Sequence, residues 1–89
     1  MKAVISVIGK DTVGILASVA AKCAEYDINV MDVTQSVLQD MFVMIMMTDI
    51  TKMTIPFSKF ADEMETLGEQ KCLSIKVMHE DIFNAMHTV

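Results

Sequence analysis

The chain has 89 residues, with seven lysines, no arginine and twelve acids, for a net charge of −5. That length holds one domain, residues 1–89, and a chain so short hides only about 60–65% of its extended surface on folding. Binding to nucleic acid or to an anionic membrane draws on clustered basic residues, and the scattered lysines here exclude both as partners. Apolar residues make up 53% of the chain, ten of them methionine; this exceeds what one small core needs and points to burial against another chain.

In chain order, Ala3-Val4-Ile5-Ser6-Val7-Ile8 reads as a first strand and Gly9 to Thr12 as a turn. From Val13, apolar residues at Ile15, Leu16, Val19, Ala20, Cys23 and Ala24 recur at helical spacing, ending near Tyr26 or Asp27. Ile28 to Leu38 is a second strand, with Met31, Val33 and Val37 on one parity and Asp32, Thr34 and Ser36 on the other. Gln39-Asp40 is a hairpin connection, and Met41 to Met47 a third strand, apolar on both parities. Pro56 pre-sets a second helix carrying Phe57, Phe60, Ala61, Met64 and Leu67, which stops at Gly68 or runs on to Gln70. Leu73, Ile75 and Val77 alternate through a fourth strand, and a short amphipathic tail helix covers about 80–89.

The order strand-helix-strand-strand-helix-strand, joined by right-handed crossovers, is an α+β, ferredoxin-like βαββαβ sandwich with a short C-terminal helix. The first and third strands are central, which suits their apolar character on both parities. A sheet covered on one side reads polar on the other, whereas the third strand offers methionine and isoleucine to both. The tail helix or another subunit must cover that second face, and a homodimer is expected.

Several chemistries lack their residues. Gly9 and Gly14 have the spacing of a phosphate-binding GxxxxGK[ST] loop, but Ile15 and Leu16 stand where Lys and Ser/Thr are needed. The central strands carry no aromatic pair for base stacking, only Phe42, and no CxxC pair serves a soft metal. His79 and His87 are eight apart at the tail and read as solvated, no nucleophile has a base beside it, and Met44, Met46 and Met47 read as core. No catalytic residue, metal site or cofactor is expected. Cys23 and Cys72 read as reduced and buried, in a cytoplasmic protein, and no leader or membrane span is visible.

What remains is the turn. It follows a central strand and opens a helix, so backbone N–H groups and the helix dipole favour a carboxylate or phosphate there, with Asp11 or Thr12 as N-cap. Gly14 leaves the approach unobstructed, while the charge on Asp11 opposes an incoming anion. Ile8-Gly9-Lys10-Asp11-Thr12-Val13-Gly14-Ile15-Leu16, followed by Tyr26-Asp27-Ile28-Asn29-Val30, resembles the ACT domain along the whole chain. With its Glu80 to His87 tail the chain is similar to the small stand-alone ACT proteins of prokaryotes, and more distantly to the glycine-cleavage repressor type.

The resemblance implies a regulatory, non-enzymatic module that binds a small ligand, commonly an amino acid, at a dimer interface where the turn of one subunit faces the second strand of its partner. By position, Asp11 falls where serine-sensing members contact the ligand through Asn, Gly14 matches the glycine that opens the helix, and Asn29 matches an Asn supplied across the interface. Thr12, Val13, Ile15, Leu16 and Val30 complete the implied pocket. The alternative is a protein-interaction module, with no small ligand, that pairs with an enzyme or regulator through its sheet.

Overall fold

A computed structural model of the chain describes residues 1–10 and 13–87, with side chains through Met86. The elements are β1 (Lys2–Lys10), α1 (Ile15–Glu25), β2 (Asn29–Leu38), β3 (Met41–Asp49), α2 (Phe57–Gln70), β4 (Leu73–His79) and α3 (Glu80–His87). All neighbouring strands pair antiparallel in the order β2-β3-β1-β4, so β1 and β3 are central, as their two-sided apolar pattern predicts.

Register divides the sheet into two faces. Ile5 pairs with Met46 and Val77, and Val7 with Met44 and Ile75, so these side chains share one face with Ala3, Phe42 and Leu73. Both long helices pack on it, through Ile15, Val19 and Cys23 of α1 and Phe60 and Met64 of α2, each set spaced four residues apart along its helix. Thr48, fully buried on this side, donates its hydroxyl to the carbonyl of Ala3 at 3.0 Å. The opposite face carries Val4, Ile8, Met41, Val43, Ile45, Met47 and Met78. Val4 is fully buried although it lies outside the core beneath the long helices, and α3 packs against β1 and β4 where it lies. No helix among the described residues is long and apolar enough to cross a membrane.

Three local expectations are corrected and one open choice is decided. A bulge between Val30 and Asp32 leaves Met31 without a partner, so it does not share the parity of Val33 and Val37. Cys72 is exposed, on the turn into β4 with φ of 58°, whereas Cys23 is buried and its thiol is pushed up to about 11 by that burial. The first helix begins at Ile15, and Gly14 is its N-cap rather than Asp11 or Thr12. Of the two ends open to the second helix, it takes Gln70 and not Gly68. Gly68 lies inside the helix because the helix approaches β4 closely there: a Cβ at this position would meet the Leu73 carbonyl oxygen at 2.7 Å.

The C-terminal end of α1 and the middle of α2 are joined by a polar contact. The Tyr26 hydroxyl donates to Glu63 Oε1 at 2.7 Å, and the Lys22 ammonium lies 3.5 Å from the same oxygen. The donated hydrogen bond holds the Glu63 carboxyl below its usual range and, from the other side, pushes Tyr26 up to about 12.

Two measurements check these contacts. Gly68→Ala should destabilise the fold by about 1–3 kcal/mol in denaturant titrations, although Ala is the better helix former by about 1 kcal/mol, because the Leu73 backbone must move. Tyr26→Phe should lower the melting temperature by a constant amount between about pH 5 and pH 9. Glu63, depressed in the folded state, contributes above the unfolded carboxylate value near about 4.3 and loses that contribution as pH falls through its folded pKa. Tyr26, raised in the folded state, contributes below about 10 and loses it as pH rises towards 12. The deficit of the variant therefore shrinks on both sides in melts followed against pH.

Candidate functional site

The turn between β1 and α1 is built by a single backbone choice. Gly14 sits at φ 85° and ψ 12°, the left-handed region that a Cβ disfavours, and the first helical hydrogen bond runs from Ser18 N–H to the Gly14 carbonyl at 3.0 Å. No side chain of the described residues caps this helix start, and a Cβ placed on Gly14 would have nothing within 4 Å. Among the described residues nothing blocks the start of α1, and its dipole favours negative charge there.

The expected site residues scatter around this point. Asp11 and Thr12 lie outside the described residues. Val13 is fully exposed and Leu16 is 37% exposed, both free to face another molecule. Ile15 is buried at 3% in the core, so only its backbone is available to a ligand. A shallow hollow of about 410 Å³ opens at this end of the sheet, lined by Gly9, Lys10, Leu38, Gln39, Asp40 and Met41.

Asn29 and Val30 are at the other end. Asn29 is delivered by the turn that closes α1: the Ile28 N–H bonds the Cys23 carbonyl at 2.9 Å and the Asp27 N–H bonds that of Ala24 at 3.2 Å, with Asp27 itself at φ 57°. This paired closure starts β2 at a fixed point, where Asn29 pairs with Asp49 and Val30, half-buried, with Thr48. Gly9 instead pairs with Phe42. Those two levels are seven residues apart along β3, or about 23 Å at about 3.3 Å per residue. One chain therefore does not bring Asn29 to its own Gly14 turn.

The Asn29 end has a hollow of its own, about 300 Å³, lined by Asp27, Asn29, Asp49, Thr51 and Lys52. Sequence reasoning did not name the last three. Thr51 donates both its N–H, at 2.9 Å, and its hydroxyl, at 2.6 Å, to Asp49 Oδ1. These two bonds hold the Asp49 carboxyl below the usual range. The local spacing Asp-x-Thr was the one available signal, since an acid accepts readily from a backbone N–H two residues on. Of the two histidines, His79 stacks on Phe57 with ring centroids 4.1 Å apart. Among the described residues no group of three or more His, Cys, Asp or Glu is placed to hold a metal.

The fold has counterparts in known proteins. A sequence profile of the ACT domain matches residues 2–77, and the chain belongs to the ACT-domain family, the fold of regulatory, ligand-binding modules. A UPF0237 protein of Clostridium acetobutylicum is 45% identical over 89 residues, covering 100% of both chains. Another, from Listeria innocua, is 46% identical over 87 residues and 98% of each. Among solved structures, an ACT domain protein from Streptococcus pneumoniae superposes with a TM-score of 0.81 at 35% identity, over 93% of either chain. A putative glycine cleavage system transcriptional repressor shares the fold, with a TM-score of 0.68 at 19% identity over 85% of this chain and 43% of its own.

Proposed function

We propose that this protein is a non-enzymatic regulatory module that binds an amino acid or similar small metabolite between two subunits, in a cytoplasmic setting that suits its two unpaired thiols. The observation that carries the reading is the start of α1: Gly14 in the left-handed region, no side-chain cap among the described residues, and open space where a Cβ would stand. The ligand carboxylate takes the backbone N–H groups of Ile15 and Leu16, which a helix start leaves without intrahelical partners. Asp11 suits the ligand ammonium.

A second subunit completes the pocket. Asn29 lies about 23 Å along the sheet from the turn of its own chain, so an amide at the ligand comes from a neighbour. Val13, Leu16 and Val37, exposed by 102%, 37% and 55%, supply apolar surface beside the turn for that neighbour. Folding alone leaves Val13 uncovered and Leu16 and Val37 partly so.

Titration calorimetry of the full chain against the twenty amino acids, each at millimolar concentration, tests this. Heat with one or a few of them is the expected result; no heat with any contradicts it. Gly14→Asp should abolish the binding found, through bulk and charge at the helix start. Gly14→Asn, which tolerates the left-handed conformation without adding charge, should keep the fold and weaken binding by a smaller factor.

A further inference from the structure

The hollow at the Asn29 end differs in kind from the surface around the turn. Val13, Leu16 and Val37 give the turn end exposed apolar surface, whereas the hollow is lined by Asp27, Asn29, Asp49, Thr51 and Lys52 alone. Its charges balance. Asp27 and Asp49 are answered by Lys52 and by the Met1 ammonium, 3.9 Å from Asp49 Oδ1. A charged group entering the hollow gains no net attraction, and an aliphatic one takes water from polar groups without replacing its hydrogen bonds.

These groups are arranged to give and to receive hydrogen bonds. The Thr51 N–H and hydroxyl both donate to Asp49 Oδ1, and the Met1 ammonium lies on that same oxygen, so Oδ2 is left as an acceptor held in place. The Asp49 side chain is 41% exposed and can be reached. Thr51 itself is occupied, since its hydroxyl oxygen also accepts from the Met1 ammonium at 2.8 Å. The Lys52 ammonium has no ion pair among the described residues and is available as a donor. The Asn29 amide offers both a donor and an acceptor.

We infer that the amino acid bound by this protein carries a carboxamide side chain, as glutamine and asparagine do, and that this hollow of the neighbouring chain reads it. The inference rests on the two-chain site proposed above and adds its substrate class. A carboxamide is neutral and sets two N–H donors beside one acceptor oxygen. Its N–H donates to Asp49 Oδ2, and its carbonyl accepts from Lys52 or from the Asn29 amide. A hydroxyl is neutral too, but the hollow of about 300 Å³ has the room of about ten waters, and one hydroxyl leaves most of its groups to solvent. The ligand carboxylate and ammonium stay at the Gly14 turn, so the side chain alone sets the selectivity.

Calorimetry of the full chain against glutamine, glutamate, methionine and serine tests this, with amide shift mapping to locate each ligand. Glutamine should bind at least about tenfold more tightly than the other three, the worth of one hydrogen bond to a charged group. Its binding should move the amides of Asp49, Thr51 and Lys52 together with those of Gly14 and Asn29. Asp49→Asn keeps an oxygen for the Thr51 donors and turns an N–H into the hollow, so it should cut the preference for glutamine over glutamate by at least about tenfold. Lys52→Met, at an exposed position, should weaken glutamine about fivefold and leave the melting temperature unchanged. Methionine or serine binding as tightly as glutamine overturns the carboxamide, as does an unchanged preference in Asp49→Asn. If Gly14 and Asn29 still shift in those cases, the two-chain site stands without it. An absence of binding by any amino acid overturns both.

Discussion

The pairing of β1 with β3 decides where everything else can go. With Ile5 opposite Met46 and Val7 opposite Met44, the odd residues of β1 and the even residues of β3 form the floor on which α1 and α2 pack. A slip of β3 by one residue against β1 would send Met47 and Ile45 under the helices and move the buried Thr48 to the outer face, because side chains alternate at period two. The same register sets the ends of the sheet. It places the Gly14 turn at one and Asn29 at the other, which is why the proposed site calls for two chains.

Much of this arrangement was legible in the sequence. Strands apolar on both parities had to be central, and the helical spacing of Val19 and Cys23, or Phe60 and Met64, named the faces that reach the core. What escaped prediction was backbone geometry. A residue at φ 85° caps no helix with its side chain, so capping statistics pointed to Asp11 or Thr12 and passed over Gly14. The choice between Gly68 and Gln70 as the end of α2 stayed open because the close passage over Leu73, which places a glycine inside the helix, is a tertiary contact with no local pattern. The bulge at Met31 and the exposed, left-handed Cys72 have the same origin, since neither changes the composition of its segment.

The candidate site was legible in part. The turn and Asn29 stood out through resemblance to a family, yet their separation along the sheet emerges only from register. Ile15 illustrates the limit: adjacent to the turn in sequence, it points into the core, while Val13 and Leu16 beside it point out. Asp49 and Thr51, at the Asn29 end, left only the short Asp-x-Thr spacing as a trace, because their link is a pair of hydrogen bonds to one carboxylate oxygen.

The central claim is that one ligand is held by groups that belong to opposite ends of the fold. Amide chemical-shift mapping of the labelled protein during titration with the amino acid that binds it addresses this directly. The account predicts perturbations at Gly14, Ile15 and Leu16 and, at the same ligand concentration, at Asn29 and Val30, about 23 Å away along one chain. Shifts confined to a single end, or titrating there with a different affinity, would contradict it.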